Sequence, residues 1–248
     1  MSMEDPMLID RITQRIAAVN QRVAYACQRC GRNESDVQVI AVTKYVSLDT
    51  TRAGFQAGLL HIGENRWQDV LPKWEALHEQ GTWHFIGHVQ SNKVKDIVGK
   101  FTYIHALDRL SLAKEIHKHA EAMGITVKCF IQVNISKEQT KFGVDPQDIT
   151  ELVNGLLPLH HIHVVGLMTL APYTTDAELS RPIFRSLKQL RDKLNEQALL
   201  PYDITHLSMG MSNDFEVAIE EGATWIRLGS VLMGKELDER GNRDGPDE

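Results

Sequence analysis

Short apolar, β-branched runs alternate with amphipathic stretches along almost the whole chain. Residues 7–29 carry apolar side chains at helical spacing (Ile9, Ile12, Ile16, Val19, Val23, Ala26) and stop at Gly31, which predicts a leading helix. Strands are then predicted at 37–43, 59–63, 82–87, 101–107, 127–133, 163–168, 204–207 and 224–228. Helical patterns separate them: 49–58, Glu64 to about residue 78, a stretch after Lys93, 109–123 with Asp108 as N-cap, from Asp145-Pro146, 176–199, 213–221, and a last one after Ser230. Near-continuous apolar strands belong to a parallel sheet covered on both faces. Eight strand–helix units in 248 residues predict one α/β domain, a (β/α)8 TIM barrel with an extra N-terminal helix, over residues 1–238. A doubly wound open sheet is the competing arrangement. Residues 239–248, all polar, charged, Gly or Pro, read as a disordered tail.

In a barrel, the polar residues just after the strands share one mouth, and chemistry sits there. Strand by strand they are Lys44, Glu64 with Asn65, His88, Asp108, Asn134, Thr169, Ser208 with Ser212, and Gly229 with Ser230. A lysine at a rigid strand end, partly desolvated, can act as a neutral amine and attack an aldehyde. It can equally be a strand-end cation reaching solvent, and the segment alone favours that plainer reading. Phosphate-binding barrels commonly use the loops after the seventh and eighth strands. Here those loops, Ser208 to Ser212 and Gly229-Ser230, are rich in small residues that let backbone N–H groups approach an anion, although serine N-capping explains Ser230 alone. Arg227, inside the apolar run Trp225 to Leu228, needs a partner. Either it pairs with a carboxylate, Glu64 being one candidate, or it faces the mouth and donates to a ring nitrogen or anion there.

Composition narrows the partners. The net charge is −6 and the basic residues are dispersed, so no footprint for nucleic acid is present. No apolar run is long enough for a membrane span and the first ten residues lack a signal-peptide pattern, which together with three cysteines gives the expectation of a cytoplasmic protein. Cys27-Gln28-Arg29-Cys30 has C-x-x-C spacing but ends a predicted helix and lacks two further ligands nearby, so a packing role is expected.

Several segments carry a family resemblance. They are Ile40-Ala41-Val42-Thr43-Lys44, Gly63-Glu64-Asn65, Trp83 to Lys93, Val133-Asn134-Ile135, Gly166-Leu167-Met168-Thr169, Leu207 to Phe215 and Arg227-Leu228-Gly229-Ser230. Together, over roughly residues 37–234, they resemble the pyridoxal phosphate homeostasis protein family, related to the barrel domain of alanine racemase. The resemblance implies pyridoxal 5′-phosphate held as a Schiff base on Lys44. It implies Arg227 at the pyridine nitrogen, phosphate binding by Ser208, Ser212, Gly229 and Ser230, and Asn65 and Met168 beside the ring and lysine.

The expected role is to keep the cofactor available without evident catalysis, as a monomer because no separate association domain is visible, with pyridoxal-dependent apoenzymes as candidate recipients. An arginine at the pyridine nitrogen weakens the ring as an electron sink. Racemization also needs a second acid/base opposite the lysine, and none of Tyr45, Tyr103 and Tyr173 is placed there by the sequence. The length left after the eighth unit is too short for the second domain of alanine racemase. A weak amino-acid racemase is the alternative, and a barrel for another phosphorylated metabolite a third reading. Lys137, Lys141 and Lys235 read as solvated surface charges that could assist transfer.

Overall fold

The computed structural model describes residues 5–138 and 142–234. Eight parallel strands close into a barrel in the order β1 to β8: Gln38–Val42, His61–Glu64, Thr82–Phe85, Tyr103–Leu107, Val127–Gln132, Ile162–Met168, His206–Ser208 and Trp225–Leu228. Between them run α2 (Leu48–Gln56), α3 (Trp67–Leu77), α4 (Val94–Ile97), α5 (Leu110–Ala122), α6 (Ile149–Leu156), α7 (Arg181–Glu196) and α8 (Phe215–Glu220), with α9 (Ser230–Met233) after β8. The (β/α)8 barrel, not the open sheet, is the arrangement found. The tail and the lysines at 141 and 235 lie outside the described residues.

The leading helix, α1 (Pro6–Cys30), starts on Asp5, whose carboxylate accepts from the N–H groups of Met7 and Leu8. Proline at the first position costs that end no hydrogen bond, and Gly31 ends it at φ 69°. The buried stripe Ile12, Val19, Val23, Ala26 and Cys27 packs α1 against α8, α9 and α2, where it covers the seam between the last and first units. Arg22 pairs with Glu216 of α8 at 3.1 Å, and Arg15 Nη1 donates to the carbonyl of Met233 at 3.1 Å.

Strand alternation sorts side chains into two cores. Outward positions such as Ala41, Ile62, Ile104, Leu207 and Ile226 meet the helices, whereas Ile40, Phe130, Met168 and Trp225 pack inside the barrel with Tyr103, Val165 and Leu170 against them. Several boundaries differ from the sequence expectation. β7 begins and ends later, so Ser208 belongs to the strand. The N-cap position of α5 is Arg109, without a side-chain cap bond, and Asp108 instead binds Arg109 Nη1 at 2.6 Å. The helix after β5 starts at Ile149, because Asp145 to Asp148 form a turn in which Asp145 accepts from the Gln147 N–H.

Candidate functional site

β1 places Lys44 by parity. Ile40 is inside the barrel, so Val42 and Lys44 continue that face while Thr43 turns outward. Thr43 is fully buried and held from three sides: its N–H donates to Gly63 O at 3.0 Å, its hydroxyl donates to Glu64 Oε1 at 2.6 Å, and its carbonyl accepts from Lys73 Nζ at 2.5 Å. Lys73 Nζ also meets Glu64 Oε1 at 2.8 Å. This network fixes the backbone next to Lys44. The amine of Lys44, half-buried at the rim, lies 4.7 Å from the centroid of the Tyr45 ring.

Glu64 therefore faces away from the mouth and is not the partner of Arg227. The strand includes it, and alternation from the inward His61 and Gly63 sends it out toward α3. Burial pushes its carboxyl up, against the pull of Lys73 and Thr43, and its Oε2 has no hydrogen-bond partner among the described residues.

Arg227 is buried inside the barrel. Its Nη1 donates to Ser208 Oγ at 2.7 Å and its Nη2 to the carbonyl of Thr169 at 3.0 Å. Both partners are neutral. Desolvation pushes the guanidinium down to about 10, partly offset by the Asp214 carboxylate, so it stays cationic at neutral pH. In the β1–β8 register Arg227 stands opposite Ile40, four residues before Lys44, which sets its backbone deeper in the barrel than that of the lysine.

The loop after β7 turns at Gly210, whose φ of +93° suits glycine and whose Cα has Ala218 Cβ 2.6 Å from where a side chain would start. Asp214 Oδ1 accepts from the Met211 N–H at 2.7 Å, which ties the loop around Ser212. After β8, a Cβ on Gly229 would meet nothing nearer than Val42, at 3.9 Å, so the rim is open between the first and last strands. Ser212 is half-buried and Ser230 exposed beside this opening's strand ends, whereas Ser208 is fully buried below it. The Ser208 hydroxyl is already taken by Arg227 and by His105, whose Nδ1 is 2.9 Å away.

Met168 is buried on the inner face of β6, and Asn65 follows β2 half-buried. Gly87 packs on the Asn65 backbone so closely that a Cβ would fall 2.2 Å from its carbonyl oxygen. His88 stacks on Phe142 with ring centroids 3.8 Å apart and lies 3.8 Å from Asp108, while Asn134 Nδ2 donates to Glu138 O within its loop. Tyr103 packs inside the barrel on His84, and Tyr173 is exposed. The cysteine pair lies on α1: Cys27 is buried, Cys30 Sγ donates to Ala26 O at 3.2 Å, and no cluster able to hold a metal occurs among the described residues.

Lys73 and the interior histidines escape the sequence reading. For His84 and His105 a signal exists, since each interrupts an apolar strand and a buried imidazole must be paired. For Lys73, one charge in an amphipathic helix, there is none.

Fold and site together define a barrel of the alanine racemase N-terminal type. The family described as alanine racemase, N-terminal domain, matches residues 15–236. A Clostridium difficile 630 alanine racemase shares that fold at a TM-score of 0.69 and 14% identity, over 94% of this chain and 58% of that one. A pyridoxal phosphate homeostasis protein of Aquifex aeolicus is 45% identical over 225 residues, 90% of this chain and 97% of its own length. The structure of PipY from Synechococcus elongatus PCC7942 with pyridoxal phosphate bound is similar at a TM-score of 0.78 and 34% identity, over 90% of this chain and 100% of that one. The chain belongs to the pyridoxal phosphate homeostasis protein family. No helix among the described residues is long and apolar enough to cross a membrane.

Proposed function

We propose that this chain binds pyridoxal 5′-phosphate as a Schiff base on Lys44 and keeps it available in the cytoplasm, as a monomer, without using it for catalysis. The observation that carries this reading is Arg227, a buried cation locked by Ser208 and Thr169 on the same inner face as Lys44 but deeper. When bound, the cofactor supplies an aldehyde that an amine captures reversibly, which keeps it from other cellular amines.

The residues present fit such a ligand. Lys44 offers an amine at the rim, on a backbone fixed by Thr43, Glu64 and Lys73. Arg227 has donors only, so it can hydrogen-bond a ring nitrogen and cannot receive a proton from it. That arrangement favours an unprotonated nitrogen and a weak electron sink, which suits holding better than turnover. Ser212, Gly229 and Ser230 supply hydroxyls and backbone N–H groups for the phosphate at the open rim, and the space beside Gly229 admits it. Ser208, committed to Arg227, acts on the ring side instead of contacting phosphate. Asn65 and Met168 flank the ring and lysine. The relatives' names support a role in pyridoxal phosphate homeostasis. Pyridoxal-dependent apoenzymes are the recipients this reading offers.

Weak racemase activity is the second reading; the Tyr45 ring lies beside the Lys44 amine, whereas racemization needs an acid/base opposite it. Two measurements decide. Borohydride reduction followed by peptide mapping should place the adduct on residue 44, and an adduct elsewhere rejects the site. In deuterated solvent, an added amino acid should keep its α-proton; rapid protein-dependent exchange makes the chain an enzyme.

A further inference from the structure

A file of hydrogen-bonded side chains runs through the barrel interior from its floor to Arg227. His61 Nδ1 lies 3.1 Å from His84 Nε2, His84 Nδ1 lies 3.0 Å from His105 Nε2, and His105 Nδ1 lies 2.9 Å from Ser208 Oγ, the acceptor of Arg227 Nη1. Barrel interiors are mostly filled with branched apolar side chains. A polar file there costs stability unless every link is made. Here each link is made, across β2, β3, β4, β7 and β8.

The rings are clamped as well as bonded. His105 lies flat on Phe130, with centroids 4.2 Å apart and planes at 16°, and His84 lies flat on Tyr103 at 4.7 Å and 3°. His61 meets Trp225 edge-on at 4.9 Å. Desolvation holds His84 and His105 well below the ordinary histidine range, so each is neutral with one N–H and one acceptor nitrogen.

Charge and hydrogen count fix the direction of the file. Arg227 only donates, so the Ser208 oxygen accepts from it and has a single hydrogen left to place. Among the described residues the Ser208 hydroxyl makes one other hydrogen bond, to His105 Nδ1, so its hydrogen belongs there. With that hydrogen on the His105 bond, His105 carries its own proton on Nε2 and donates to His84, which likewise donates to His61. The reverse order would present the serine oxygen with two donors and strand its hydroxyl hydrogen in an apolar core.

We propose that His61, His84 and His105 are positioning residues, a file of single polarity with every ring in its Nε2–H form, which keeps the Ser208 oxygen an acceptor and holds Arg227 aimed at the ring nitrogen of the cofactor. The role rests on the cofactor assignment above. The polarity does not.

Two measurements separate them. In the full-length protein labelled with nitrogen-15, the ring nitrogens of these histidines should show protonated Nε2 and bare Nδ1 at neutral pH, and a protonated Nδ1 on His84 or His105 overturns the polarity. His105→Leu should still form the reducible Lys44 adduct, but with a displaced visible absorbance band and about tenfold faster loss of pyridoxal 5′-phosphate, the worth of one hydrogen bond around a charged group. An unchanged band and unchanged release refute the positioning role. A wild-type protein with no reducible adduct rejects the cofactor assignment and this role with it, while the nitrogen spectra still judge the polarity.

Discussion

Lys73 and Glu64 meet at 2.8 Å in a buried ion pair, and the same ammonium binds the carbonyl of Thr43, the residue before Lys44. The pair thus ties α3, β2 and the end of β1 together behind the site. Removing one partner leaves an uncompensated buried charge. Lys73→Met is expected to cost about 3–5 kcal/mol in denaturant unfolding. Replacing both partners at once, with Glu64→Leu added, should recover part of that loss, because no charge is left unpaired although the Thr43 hydroxyl and carbonyl lose these partners. A Lys73→Met protein of wild-type stability would mean the pair holds nothing together.

Lys44→Ala removes the amine but none of the bonds that hold Thr43. The variant should unfold like the wild type and show neither the visible band nor a borohydride-reducible adduct. Retention of the adduct at full occupancy would implicate another lysine.

Ser212 lies in the loop after β7, whose Gly210 carbonyl accepts from the Arg227 N–H of β8, and Ser230 follows Gly229, whereas the Ser208 hydroxyl is spent inside the barrel. Ser212→Ala and Ser230→Ala should each weaken pyridoxal 5′-phosphate binding by about 1–2 kcal/mol and leave pyridoxal, which lacks the phosphate, unaffected. Ser208→Ala should weaken both ligands alike, since it frees Arg227. Equal losses for the two ligands in the Ser212 and Ser230 variants would move the phosphate elsewhere.

His84 and His105 also bear on acid stability. Burial lowers their folded-state values, while in the unfolded chain each protonates at about 6.5. Their contribution is therefore complete above that pH and lost as pH falls below it, by up to about 1.4 kcal/mol per ring per pH unit. Glu64 and Asp214, raised by burial, work in the opposite direction, since protonation in the folded chain favours it toward acid. His105→Leu should flatten the fall in stability between pH 6.5 and about 5.5. An unaltered slope would show that the ring takes up a proton without unfolding.

The barrel is largely legible in the chain, because strands covered on both faces must be apolar along their length and end where polar residues begin. Arg227 stands out as a charge where the pattern allows none, whereas Lys44, just past its strand, is singled out only by the family resemblance. What pattern alone leaves open is which way a strand-end residue turns. Glu64 and Ser208 look like mouth residues until the strands prove to include them. Parity then sends Glu64 outward to Lys73 and Ser208 inward to Arg227. The expected cap at Asp108 fails because that carboxylate is drawn to Arg109.

Lys44 follows the first strand, Gly229 and Ser230 follow the last, and those strands are neighbours only because the barrel closes under the docked α1. A ligand gripped from both sides is a clasp across the seam, and it can engage only a finished ring. Such a ligand, at a hundred times its dissociation constant, adds about 2.7 kcal/mol to the closed form. Resistance to unfolding would then rise with the concentration of any ligand that bridges the two strand ends.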